Sequence, residues 1–149
     1  MKNLKVMFLA IAIMMFSSAF SVANAQGIGF INYKKVQDNY NYAKDAMKEV
    51  DAKGLELQQY LVDKEKEFKT IETPVQKKNF EEKTAKEFKA KQDSYLDYKT
   101  KKESDVFDKI QLAAKQVMIE QKLDTIIDYR VIFVGGIDVT DLVLQKLNK

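Results

Sequence analysis

The sequence predicts a mostly helical α+β protein, a long antiparallel helical hairpin (a coiled-coil tentacle) projecting from a small β-rich association body. Three observations carry this expectation. Apolar residues recur at 3-4 spacing from Tyr40 to Ile71, the only proline, Pro74, stands in the middle of the charged region, and β-branched runs gather towards the two ends.

Residues 1–25 read as a secretory signal peptide. Lys2 and Lys5 precede an unbroken apolar run at 6–16, and Ala23-Asn24-Ala25 supplies the small residues that a signal peptidase needs, which places the mature start at Gln26. Eleven apolar residues fall short of the roughly 20 that cross a bilayer as a helix. No cysteine follows to carry a lipid anchor. The expected location is the periplasm, with cleavage after Ala25.

The mature chain divides into an association body at 26–38 and 122–149 and a hairpin at 39–121. Gly29-Phe30-Ile31-Asn32 reads as a short strand, with Asn32 placed to cap a helix starting at Tyr33. The seam then runs through Tyr40, Ala43, Met47, Val50, Gly54, Leu57, Leu61, Lys64, Phe68 and Ile71, interrupted only by Gly54 and Lys64. Glycine inside a helix costs about 1 kcal/mol relative to alanine, so bending is expected at Gly54. Thr73-Pro74 forms the turn, because a proline pushes the residue before it out of the helical region.

From 75 to 134 there is neither glycine nor proline, which predicts a second helix to about Gln121, some 70 Å long at 1.5 Å per residue. Its apolar face is Ala85, Phe88, Tyr95, Val106, Ile110, Ala113 and Val117, with Lys99 and Lys102 on seam positions. The pairs Glu49/Lys53, Glu65/Lys69, Glu82/Lys86, Glu87/Lys91, Asp97/Lys101 and Asp105/Lys109 are spaced to support the helices, each by about 0.2–0.5 kcal/mol. Further on, 124–129 and 131–134 read as strands and Gly135-Gly136 as a turn. Asp138 reads as the N-cap of a final helix with Asp141 in its first turn and Leu142, Val143, Leu144 and Leu147 on its apolar face.

Charge and composition exclude several chemistries. Without Lys2 and Lys5 the chain carries 23 basic and 22 acidic groups, although residues 64–102 alone carry a net +4. Of the basic residues only Arg130 is arginine, so the bidentate forks that read base edges are missing and no specific nucleic-acid partner is expected. Histidine and cysteine are absent, which removes the commonest transition-metal ligands, the usual general base and any disulfide. No phosphate-cradling glycine loop is present. The expectation is a protein with no enzymatic activity, cofactor or metal.

So small a body cannot bury enough surface to be stable alone without disulfides or metal, so self-association is expected, with strand edges from several chains joining through Phe30, Ile31, Ile126, Ile127, Ile132 and Val134. The hairpin offers Tyr60, Phe68, Phe80, Phe88, Tyr95 and Tyr98 as an adaptable aromatic surface. Phe68 and Phe88 also suit packing in the seam, leaving Tyr60, Tyr95 and Tyr98 as the better contact candidates. Lys77, Lys78, Lys83 and Lys86 form a basic tip suited to transient contact with an anionic membrane surface. Glu81, Glu82 and Glu87 interleave with them, and a solvated helix face is the plainer reading.

Together the leader, the strand Gly29-Phe30-Ile31-Asn32, the charged hairpin, Leu123-Asp124-Thr125-Ile126-Ile127-Asp128 and Gly136-Ile137-Asp138-Val139-Thr140-Asp141 resemble the Skp/OmpH family of periplasmic chaperones. The resemblance implies a homotrimer whose strands form a central body. It further implies that the hairpins enclose a cavity holding unfolded outer-membrane β-barrel proteins without ATP. Members of that family are often clearly basic, whereas this mature chain is nearly neutral. A structural or adaptor coiled-coil protein of the cell envelope is the alternative expectation.

Overall fold

The computed structural model describes residues 27–149, so the expected signal peptide lies outside the described residues. The elements follow in the order β1 (Ile28–Ile31), α1 (Tyr33–Asn39), α2 (Asn41–Lys69), α3 (Pro74–Glu120), β2 (Thr125–Asp128), a 3-10 turn (Tyr129–Val131), β3 (Ile137–Asp138) and α4 (Thr140–Leu147). The fold is mostly α, with one three-stranded sheet of order β2-β1-β3.

Both pairings in that sheet are parallel. Ile28 lies opposite Thr125 and Ile31 opposite Asp128 on one side, and Gly29 and Phe30 face Ile137 and Asp138 on the other. The central strand must approach its neighbours closely. A Cβ on buried Gly29 would come within 2.6 Å of Leu123 Cδ1, so any larger residue there must displace that buried side chain.

Asn32 caps α1 as expected, its side chain accepting from the Lys35 N–H at 2.9 Å. The helix is interrupted at Tyr40, whose ψ of 120° is extended. Asn148 spans this break: its Oδ1 accepts from the Asn41 N–H and its Nδ2 donates to the Asn39 carbonyl. Two backbone groups freed by the interruption therefore keep partners.

The hairpin comprises α2 and α3, with Thr73 as N-cap and Pro74 at the first turn of α3. α3 ends in a Schellman arrangement: Leu123 N–H donates to the Met118 carbonyl, Lys122 N–H donates to the Ile119 carbonyl, and Lys122 takes a φ of 53°. The core lies at the hairpin base and under the sheet. There Ile31, Val36, Ile110, Val117, Leu123, Val139 and Val143 are buried.

Three local expectations are corrected. Residues 131–134 do not form a strand. Asp128 accepts from the Arg130 N–H at 3.0 Å and from its guanidinium at 2.8 Å, which turns the chain at the end of β2. Strand propensity needs a receiving edge, and among the described residues Phe133 and Val134 meet none and lie exposed. Asp138 is not the N-cap, which is Val139. Asp138 pairs within the sheet, and its carboxylate reaches forward to the Thr140 N–H (2.9 Å) and hydroxyl (2.5 Å). On α4, Val143 is buried but Leu142 faces solvent.

Candidate functional site: the seam of the hairpin

The two hairpin helices meet in two chemically different ways. At the base Ala43 and Ala46 of α2 share one buried cluster with Val106, Ile110 and Ala113 of α3, and Val50 is buried outside it. Ala46, rather than the expected Met47, takes the buried position, and Met47 is exposed. From 51 to 105 no residue is buried. The distal seam is made of half-buried rings and the charges that face them.

The first distal contact is a clasp on Glu49. Its Oε2 accepts from the Tyr98 hydroxyl at 2.6 Å and pairs with Lys102 Nζ at 2.6 Å. Lys53 and Lys102 stand 4.8 and 5.4 Å from the centre of the Tyr98 ring. The hydrogen bonds from Lys102 and Tyr98 hold the Glu49 carboxyl below the usual carboxylate range. The same bond to Glu49 raises the Tyr98 phenol.

The second clasp lies further out. Tyr60 donates its hydroxyl to Glu87 Oε2 at 2.7 Å, with Lys64 and Lys91 at 5.7 and 5.0 Å from its ring. Burial against the other helix, then the bond to Glu87, pushes the Tyr60 phenol up to about 12. The bond from Tyr60 lowers Glu87, aided by Lys83, Lys64 and Lys91.

Near the tip the Phe68 and Phe80 rings lie 6.1 Å apart, with Lys77 over Phe68 and Lys64 over Phe80. A largely apolar groove of about 370 Å³ opens there between Leu61, Phe68, Phe80, Ala85 and Phe88. A second groove of about 370 Å³ lies between the clasps, lined by Lys53, Leu57, Lys91, Tyr95 and Tyr98. Tyr95 sits beside Gly54. α2 runs through Gly54 without a break.

All six aromatic residues singled out from sequence are half-buried along this seam. In the basic tip Lys77 covers the Phe68 ring, Lys83 lies 3.8 Å from Glu87, and Lys78 and Lys86 are exposed. Sequence reasoning missed Glu49 and Glu87 as acceptors. The signal was available, since folding the chain about Thr73-Pro74 brings Glu49 opposite Tyr98 and Tyr60 opposite Glu87.

Among the described residues only Glu65/Lys69 of the six expected ion pairs forms, at 2.6 Å. Lys53, Lys91 and Lys109 instead cover the rings of Tyr98, Tyr60 and Tyr42. Other pairs support the helices, including Lys34/Asp38, Lys89/Asp93 and Lys99/Glu103.

Of the residues expected at strand edges, Ile31 belongs to the chain's own core, Phe30, Ile126, Ile127 and Ile132 are half-buried, and Val134 is exposed. Val131 and Phe133, exposed beside Val134, were not singled out. An apolar groove of about 440 Å³ lies nearby, between Tyr33, Phe107, Ile126 and Arg130. Among the described residues no cluster of three or more acidic, histidine or cysteine side chains is placed to hold a metal ion. No helix there is long and apolar enough to cross a membrane.

A two-helix arm with an open seam, set on a small parallel sheet, defines an α+β hairpin protein. The chain belongs to the outer membrane protein (OmpH-like) family, whose model matches residues 27–147. It is also similar to a solved structure of a candidate OmpH-like outer membrane chaperone from Caulobacter crescentus CB15, at 15% identity and a TM-score of 0.45, covering 83% of this chain and 84% of that one. No curated protein matches the chain significantly. Family membership supports a chaperone-type role and a periplasmic location.

Proposed function

We propose that the chain is an ATP-independent holdase of the periplasm, exported by a leader cleaved after Ala25. In this reading it assembles as a homotrimer whose hairpins enclose unfolded outer-membrane β-barrel proteins and keep them soluble. The observation that carries this reading is the open distal seam: no residue from 51 to 105 is buried, while Leu55, Leu61, Val62 and Leu96 lie exposed among charges along the same arm. Many small apolar contacts, each near the fractional worth of a partly covered side chain, bind an unfolded segment without fixing its sequence and release it readily. Tyr60, Phe68, Phe80, Phe88, Tyr95 and Tyr98 supply the wider rings of that surface, and Lys77, Lys78, Lys83 and Lys86 supply contact with an anionic membrane surface.

The mature chain, without nucleotide, should keep a urea-unfolded outer-membrane β-barrel soluble on dilution at near-stoichiometric ratio to the assembly. Aggregation at the rate of the client alone, with the assembly intact, would sink the holdase reading in favour of an envelope adaptor with one fixed partner. An adaptor would concentrate its binding energy in a compact patch.

A further inference from the structure

The change of chemistry along the hairpin points to a device within it. We propose that Glu49, Tyr98 and Lys102 form a latch dividing the hairpin into a base that folds with the sheet and a distal arm, residues 51–97, whose two helices part while the base stays closed.

The latch sits at the boundary. On its inner side Ala46 of α2 and Val106 of α3 are the outermost residues of the buried cluster, continuous with Ile110, Ala113 and Val117, while Val50, one residue beyond Glu49, is buried outside that cluster. On its outer side the helices are joined by the Tyr60 hydroxyl on Glu87 and the Phe68/Phe80 contact, with solvent reaching every residue between. Contacts that water already reaches give up little when they separate. Buried apolar pairs lose their whole transfer energy. Parting therefore stops where burial begins.

The latch is also the tightest cross-helix contact outside the base, since one carboxylate oxygen receives both a phenol and an ammonium at 2.6 Å.

Each helix must survive the separation. Its support is internal: Glu65/Lys69 and Lys66/Asp63 lie within α2, and Lys89/Asp93 and Lys99/Glu103 lie within α3. None of these pairs bridges the hairpin, so none is lost on opening. An isolated helix of this length is marginal yet attainable when its own side chains support it. Parting exposes Leu57, Phe68, Phe80 and Phe88 between the helices. That a client chain enters there rests on the holdase reading, whereas the opening is a property of this chain alone.

The test needs no client. Spin labels at Glu56→Cys and Ala90→Cys line the same groove, and the absence of native cysteine makes them the only labelled sites. Label-diluted full-length mature protein should show a main short distance and a minor longer one. Glu49→Gln with Tyr98→Phe should enlarge the longer population about tenfold, the scale of losing a charge-assisted hydrogen bond at a partly exposed site. Amide exchange should accelerate at 51–97 and stay unchanged at 106–117. Glu65→Gln, which removes an exposed pair within α2, should leave both populations as they are. A single narrow distance in wild type and double variant alike overturns the proposal, as does exchange that accelerates equally in arm and base.

Discussion

Across the hairpin the Tyr60 hydroxyl meets the Glu87 carboxylate at 2.7 Å, with Lys83 3.8 Å from the same carboxyl group. The bond needs a neutral phenol and an ionised acid, so its contribution has two pH limits. Glu87 is lowered in the folded chain, and its share is complete above the unfolded carboxylate pKa and lost as pH falls through the depressed value. Tyr60 is pushed up to about 12, and its share is complete below the unfolded phenol pKa and lost as pH rises through that value. Tyr60→Phe should therefore lower the urea midpoint by a constant amount between about pH 6 and 9, the range in which both unfolded groups keep the required state. The difference should shrink in acid and in alkali; one that stays flat to both extremes would show that packing, not the bond, is what was removed.

The base and the arm should answer differently to truncation. Ile110 is 2% exposed, and Ile110→Ala should cost about 2–5 kcal/mol in urea unfolding. Leu55 is 64% exposed, and Leu55→Ala should stay within about 0.5 kcal/mol. Equal losses at the two sites would contradict the division of the seam into buried and open parts.

Two glycines should respond with opposite sign. At Gly54 an added methyl meets the Tyr95 ring at ordinary contact distances of 3.5–3.7 Å, so Gly54→Ala should stabilise by about 0.5–1 kcal/mol through helix propensity. At Gly29 the methyl meets Leu123 Cδ1 at 2.6 Å and Ile126 Cγ1 at 3.1 Å. Leu123 is itself buried, so making space for the methyl disturbs the core and Gly29→Ala should cost about 1–3 kcal/mol. Thermal unfolding of the two variants decides both signs.

Lys122 carries a Cβ in left-handed backbone at the end of α3. Lys122→Gly should remove a steric cost of about 1–2 kcal/mol and raise the melting temperature, part of the gain being offset by the freer unfolded chain. A fall in melting temperature would mean that the lysine side chain holds more than the turn.

For self-association the informative positions are the exposed ones. Ile31 is part of the protomer's own core, so Ile31→Asp would unfold the chain and say nothing about assembly. Phe133→Asp and Val134→Asp leave the core untouched. Each should lower the mass measured by light scattering while keeping the helical circular dichroism signal; an unchanged mass would remove 131–134 from the interface.

The hairpin was legible because its signals are local. Pro74 marks the turn, and sixty residues without glycine or proline mark the second helix. The strand at Gly29-Phe30-Ile31 was legible from its β-branched and glycine content, yet its parallel partners were not, because parallel pairing joins segments far apart in sequence and leaves no local trace. Residues 131–134 misled for the converse reason, since their β-branched composition reports a preference and not the presence of an edge to satisfy it. The aromatic residues of the seam were visible individually. Their acceptors were not, because helix-spaced charges suggest i,i+4 pairs until the hairpin register shows the rings opposite them.

The parallel sheet also sets an order of events. β1 leads into the hairpin but bonds only to β2 and β3, so Ile28 waits for Thr125, and Gly29 for Ile137, until the whole arm between them has been made. The arm, whose two helices follow each other directly around Pro74, can form from neighbouring sequence first. Closure of the sheet is then the slow step, and a chain halted after the arm would carry a finished hairpin on an open strand.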